Sequence, residues 1–184
     1  MINAVLDACV LFPNVLRDTM LSLAERDLFR PLWSLEILSE VRRNVLAKRP
    51  VDAQALDRTI ALMNSAFDDA LVEDWEPLVP DIELRDPDDR HVLAAAISGR
   101  AHAIVTFNTS DFLGPKPLPG DIEIFHPDAF LIDRFDESPT SVISALTDQS
   151  KRYRRPPMDL GALLARLDRC GVPEFGEEVR RHIW

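Results

Sequence analysis

The run Asp86-Pro-Asp-Asp-Arg-His-Val-Leu-Ala-Ala-Ala-Ile-Ser-Gly-Arg-Ala-His-Ala-Ile-Val-Thr-Phe-Asn-Thr-Ser-Asp-Phe112 constrains the fold more than any other part of this 184-residue chain. Asp86, Asp88 and Asp89 stand just ahead of a helix predicted to run through Arg100, capped by Asp88 or Asp89. Its small residues Ala94, Ala95 and Ala96 allow close approach to a sheet. Ala103-Ile104-Val105-Thr106 is short, apolar and bounded by polar residues, the pattern of a parallel strand buried on both faces. Asn108 and Asp111 follow in the loop leaving that strand's carboxyl end, the edge at which open α/β sheets bind ligands. Two carboxylate-bearing places are thereby expected at one rim. Carboxylates gathered so closely repel one another unless a cation lies between them.

The rest of the chain supplies candidates for the same rim. Ile2 to Leu6 is a short apolar run predicted as the first, central strand, with Asp7 at its carboxyl end. A lone Asp after a strand is commonly a cap or turn residue. Ala8-Cys9-Val10-Leu11-Phe12-Pro13 is apolar with no immediate cap pattern, and a carboxylate held among apolar neighbours needs a partner. A functional role for Asp7 is therefore favoured. Asn14 is expected to cap a helix to about Asp27, with Arg17, Asp18, Glu25 and Arg26 on its wet face. Phe29 to Trp33 reads as a short extended or irregular connection. Ser34 caps a helix to about Arg49, ended by Pro50. Its apolar stripe is Leu35, Leu38, Val41, Val45 and Leu46, and Glu40 flanks that stripe. Glu40 is either a boundary residue paired with Arg43 or Asn44, or a carboxylate reaching over the sheet edge toward Asp7.

Asp52 caps a further helix to about Ala66, with Leu62 among its apolar contacts. Glu73 to Arg85 is rich in proline and mixed charge and reads as a loop, with strand character at Leu78-Val79 or Ile82-Leu84. Ile122 to Phe125 is another short strand. Helices are expected over 128–135, 138–153, 159–170 and 173–182. The chain thus divides at the sequence level into an α/β domain, 1–135, and a C-terminal helical extension, 136–184.

Composition narrows the function. Hydrophobic residues make up 46% of the chain, enough for a core. No apolar run approaches the roughly 20 residues of a membrane span, and no secretory pattern is visible, so a cytoplasmic protein without membrane partners is expected. The 2 cysteines, Cys9 and Cys170, form neither a metal-type spacing nor a disulfide framework. A net charge of -10 argues against simple coating of nucleic acid. It leaves room for a nucleic-acid enzyme whose acidic centre is offset by bound metal. Basic residues concentrate at Arg42, Arg43, Lys48 and Arg49, at Lys151, Arg152, Arg154 and Arg155, and at Arg180 and Arg181. Each group reads most simply as a solvated helix face.

The donors of the cluster are oxygens alone, which favours a hard cation, Mg²⁺ or Mn²⁺. Such a site suits phosphodiester hydrolysis and needs no histidine. Neither a GxxxxGK[ST] nor a GxGxxG phosphate loop is present, nor a GxSxG elbow. His91, His102, His126 and His182 lack HExxH-type pairing, and His91 reads as a surface or helix-terminus residue. A phosphatase with Asp7 as nucleophile would usually carry a second Asp at position 9, which is Cys9.

Val5-Leu6-Asp7, Leu38-Ser39-Glu40-Val41, the Asp86–Ala96 stretch and Ile104-Val105-Thr106-Phe107-Asn108-Thr109-Ser110-Asp111-Phe112, in that order and spacing, resemble the PIN-domain ribonucleases. The branch related to VapC toxins of toxin–antitoxin pairs is the most similar. The resemblance covers roughly the first 130 residues. It implies a PIN-like α/β/α sandwich with a central, mainly parallel sheet, plus the helical extension. It implies Asp7, Glu40 and Asp89 as metal carboxylates, with Asp86 or Asp88 as near substitutes for Asp89. Many members carry Asp where this chain has Asn108, a site candidate whose carbonyl oxygen can bind a metal or orient a water but brings no charge; Asp111 is then the candidate for the missing carboxylate. Members often carry Ser or Thr where this chain has Cys9. The implied activity is metal-dependent endonucleolytic cleavage of RNA, with water attacking phosphorus to leave a 5′-phosphate and a 3′-hydroxyl. The implied partners are RNA, a small antitoxin covering the acidic pocket, and a second copy in a homodimer. The alternative is a catalytically weak PIN fold that binds RNA or a protein partner.

Overall fold

A computed structural model describes residues 1–48, 51–114 and 118–183. In chain order its regular elements are β1 (Asn3–Leu6), α1 (Ala8–Leu11), α2 (Asn14–Ala24), β2 (Arg30–Leu32), α3 (Leu35–Lys48), α4 (Ala53–Ala66), α5 (Arg90–Ser98), β3 (Ala103–Val105), β4 (Glu123–Phe125), α6 (Pro127–Glu137), α7 (Pro139–Arg152), α8 (Leu160–Arg169) and α9 (Pro173–Ile183). The chain forms two compact units, Ile2–Phe12 with Arg30–Phe125, and Met1 with Pro13–Phe29 and His126–Trp184.

The first unit is an α/β fold on a four-stranded sheet, ordered β2-β1-β3-β4, with every pairing parallel. Ala4, Val5 and Leu6 of β1 and Ala103, Ile104 and Val105 of β3 are buried. Central parallel strands are covered on both faces, so their side chains run apolar rather than alternating. Leu6 pairs with Val105, which sets the residues after the two strands side by side. The small residues Ala94, Ala95 and Ala96 of α5 are fully buried.

Several local expectations are corrected here. The connection at Phe29 to Trp33 contains a strand, β2. It lies at the sheet edge, where the N–H that Pro31 lacks is not needed. The 73–85 segment holds no strand, and Glu76–Asp81 is instead a 3₁₀ helix containing Pro77 and Pro80. Prolines cannot donate to a ladder. Leu35 and Leu62, expected in apolar stripes, are exposed. Ser34 caps α3 as expected, its Oγ accepting from the N–H of Ile37 at 3.2 Å. The predicted stop at Arg49-Pro50 lies outside the described residues.

The second unit is all helix. Phe29 meets Phe130 edge-on, with ring centres 5.0 Å apart, and Phe135 stands edge-on to Phe175. Asn14 is the first residue of α2 rather than its cap, the N-cap being Pro13. Arg17 is buried rather than on a wet face, and Asp18 accepts a hydrogen bond from the Tyr153 hydroxyl at 2.8 Å. Buried Asp128 accepts from the N–H groups of Glu174 at 3.0 Å and Phe175 at 2.7 Å, closing the start of α9. Among the described residues no helix is long and apolar enough to cross a membrane.

Candidate metal centre

The site grows out of the β1–β3 pairing. The ladder continues one step beyond the strands, with Asp7 N–H bonded to Val105 O at 3.1 Å and Thr106 N–H to Phe125 O at 2.9 Å. This puts the side chains of Asp7 and Thr106 together at the carboxyl edge. Asp7 is 4% exposed. Its Oδ1 accepts from Ala8 N–H at 2.6 Å, so Asp7 does cap a short helix, α1, for which the sequence carried no pattern. Its Oδ2 accepts from the Thr106 hydroxyl at 2.7 Å and from the Cys9 thiol at 3.0 Å. Thr106 Oγ1 in turn accepts from Asn108 N–H at 3.0 Å, and Cys9 Sγ from Phe107 N–H at 3.3 Å. Burial, and then the charge of Asp7, push the Cys9 thiol up to about 12. It therefore stays protonated and donates to the carboxylate. Neither Cys9 nor Cys170 is in a disulfide.

A second set of backbone bonds assembles the rest. Arg85 N–H bonds Leu113 O at 2.9 Å, Asp86 N–H bonds Asp111 O at 3.3 Å, and Asp111 N–H bonds Asn108 O at 3.0 Å. The segment ahead of α5 is thus tied to the loop after β3. Asp89 stands at the N-cap position of α5, as expected, but makes no side-chain cap bond there; Asp86 caps the turn ahead of it. Its Oδ1 accepts from Asp88 N–H at 2.9 Å and starts a 3₁₀ turn, Pro87–Asp89, that leads into α5. Asp86, Asp89 and Asp111 each present a carboxylate oxygen, and these lie within 4.8 Å of one another. Among the described residues no lysine or arginine forms an ion pair with any of the three. Asp89 is pushed up to about 7, first by burial and then by the charges of Asp7, Asp86, Asp111 and Glu40.

Glu40 reaches the site from α3. Burial, and then the charge of Asp7, raise its carboxyl above the usual range, opposed by His91, Arg43 and Asn44. His91 Nε2 lies 3.7 Å from Glu40 Oε2, and Asn44 Nδ2 lies 3.5 Å from Oε1. The His91 ring also stands 6.1 Å from that of Trp75.

The sequence candidates therefore divide by distance. Asp86, Asp89 and Asp111 form the close triad, with Asp7 and Glu40 as charged neighbours whose fields act on Asp89. Asn108 is exposed and joins through its backbone. Thr106 was missed as a site residue, and its signal was its position as the last polar residue of a buried apolar run. His91, expected as a surface or terminal residue, pairs with Glu40.

Oxygen-only donors, mutual repulsion and, among the described residues, no basic counter-ion to the triad are the chemistry a hard divalent cation fits. A parallel α/β sheet with such a cluster at its carboxyl edge defines a candidate metal-dependent hydrolase. The comparisons name the family. The PIN domain model matches residues 3–110, more than half of the chain, and the chain belongs to that family. A second model, the VapC50 C-terminal domain, matches residues 127–181. A Mycobacterium tuberculosis protein named "Putative ribonuclease VapC50" is 41% identical over 96 residues, covering 50% of this chain and 54% of that relative. The chain thus spans about half the length of the curated relative it matches. No solved structure matches it.

Proposed function

We propose that this protein is an endoribonuclease that hydrolyses RNA phosphodiester bonds with Mg²⁺ or Mn²⁺, and that it is the toxin of a toxin–antitoxin pair. The observation that carries the reading is the convergence of Asp86, Asp89 and Asp111 beside a buried Asp7, in a chain of the PIN family. Asp7, Glu40 and Asp89 are the proposed catalytic metal carboxylates, with Asp86 and Asp111 holding the same cation or a second one. When bound there, a divalent cation supplies water activation and charge neutralisation at the phosphate. The chain's own part is to hold the ligands. Thr106 and Cys9 fix Asp7 by its Oδ2, and His91 and Asn44 restrain Glu40. The antitoxin follows from the VapC-related similarity. An acidic triad that pairs with no lysine or arginine among the described residues is a surface that a cationic segment would cover.

Asn108 favours a second reading, a PIN fold that binds RNA or a partner with weak catalysis, because it brings no charge to a position that often carries Asp. One experiment separates the two. A mixed tRNA and rRNA pool is incubated with purified protein in Mn²⁺, in EDTA, and with Asp7→Asn in Mn²⁺. Cleavage confined to the parent in Mn²⁺ is the expected result. RNA binding without cleavage from a folded, Mn²⁺-binding parent would overturn the nuclease reading in favour of the binding module.

A further inference from the structure

Two adjacent arginines of α3 have different fates. Arg42 grips Asp57 of α4 through two contacts, at 2.6 and 3.2 Å. Arg43 is exposed and forms no ion pair or side-chain hydrogen bond among the described residues. Most other described cations of its unit are engaged away from the site. Arg30 bonds Asp69, Arg58 lies 3.6 Å from Asp52, and Lys48 sits over the Phe12 ring at 5.4 Å. Arg85, Arg90 and Arg100 have no ion pair either, but none of them is among the charges that act most on Glu40. Arg43 differs in place. It lies three residues after Glu40, on the same side of the helix, and its charge acts on the Glu40 carboxyl.

An enzyme for a polyanion whose pocket is itself anionic needs a cation near the pocket to hold the chain it cuts. Phosphate contacts of this kind position a nucleic acid without reading its sequence. We propose that Arg43 is a positioning residue that binds an RNA phosphate next to the one at the acidic cluster, while Arg42 serves only the fold. This rests on the ribonuclease reading above, and it adds where the substrate backbone runs, along α3 past Glu40.

The test uses a 5′-fluorescein-labelled single-stranded RNA of mixed sequence, in Mn²⁺. Its affinity is read by fluorescence anisotropy from 50 to 300 mM NaCl in an Asp7→Asn background, and its cleavage is read in the parent background. Each phosphate contact to a single strand contributes about 0.7 to the slope of log affinity against log salt. Arg43→Gln is expected to lower that slope by about 0.7, to weaken binding about five- to tenfold, and to raise KM with kcat little changed. Arg43→Lys is expected to restore the slope, and Arg42→Gln to leave it alone. A merely structural Arg43 would not move the salt slope. If the parent cleaves RNA and Arg43→Gln shows the same slope as Arg42→Gln, this assignment is overturned and the nuclease reading stands. If the parent neither binds nor cleaves, the nuclease reading fails and takes the assignment with it.

Discussion

The two units treat carboxylates in opposite ways. In the helical unit Asp128 is buried, and both of its oxygens accept backbone N–H groups at the start of α9. Those donors lack partners within their own helix, so acid and helix terminus satisfy each other. In the α/β unit Asp86, Asp89 and Asp111 face one another, and Asp89 is held up to about 7 by its surroundings. The first arrangement is complete as folded. The second is complete only with a cation or a proton added. Burial alone therefore does not mark a functional acid in this chain; what the acid faces does. Asp7 stands between the two cases, buried and bonded by Ala8, Thr106 and Cys9, yet acting on both Asp89 and Glu40.

The comparison breaks most visibly at Asp89. Asp89→Asn is expected to lower Mn²⁺-dependent RNA cleavage by on the order of 10³-fold, the scale of losing several kcal/mol of charge stabilisation. In EDTA at pH 8 the same variant should unfold at a temperature no lower than the parent, because it removes repulsion rather than a partner. A large drop in that unfolding temperature would class Asp89 with Asp128. Next comes Thr106→Val, which frees Asp7 Oδ2 from its strongest donor while keeping the shape. Loss of a group that orients a metal ligand typically costs about 10- to 100-fold, to be read as Mn²⁺ affinity by calorimetry alongside cleavage. The smallest effect is expected in the helical unit. Asp128→Ala should cost about 1 to 2 kcal/mol of stability, the scale of a lost helix cap, measured by urea unfolding. Its cleavage per folded molecule should match the parent.

Much of this was legible before folding. β1, β3 and β4 were readable because short apolar runs bounded by polar residues have few other uses. Asp86, Asp89 and Asp111 were identifiable as a group because the loops at the carboxyl edge of a parallel sheet converge on one rim. What stayed hidden was set by long-range pairing. The Thr106 bond to Asp7 depends on Leu6 lying opposite Val105, a register that no local pattern carries. β2 was obscured because its Arg30-Pro31-Leu32 is an edge strand, free to hold a proline. Arg17 looked like solvent-facing polarity on α2, and its burial comes from packing distant in sequence. The basic groups read as solvated helix faces, and their pairing partners were not legible. Arg42, Lys151, Arg180 and Arg181 are each engaged with acids of their own unit, which leaves far less free positive charge than the count suggests.

The central claim is that the acidic triad is a cation site, and its most direct test is thermal unfolding from pH 5 to pH 8 in EDTA and in Mn²⁺. Asp89 carries a folded-state value near 7 against about 4 when unfolded. Between those values the folded form holds the extra proton, so stability falls as pH rises, and the loss is complete above about 7. The raised Glu40 acts in the same direction. A divalent cation replaces that proton. The account predicts a Mn²⁺-induced rise in unfolding temperature that is small at pH 5, grows toward pH 8 and is largely lost in Asp89→Asn. A rise of the same size at every pH, or none at pH 8, would contradict it.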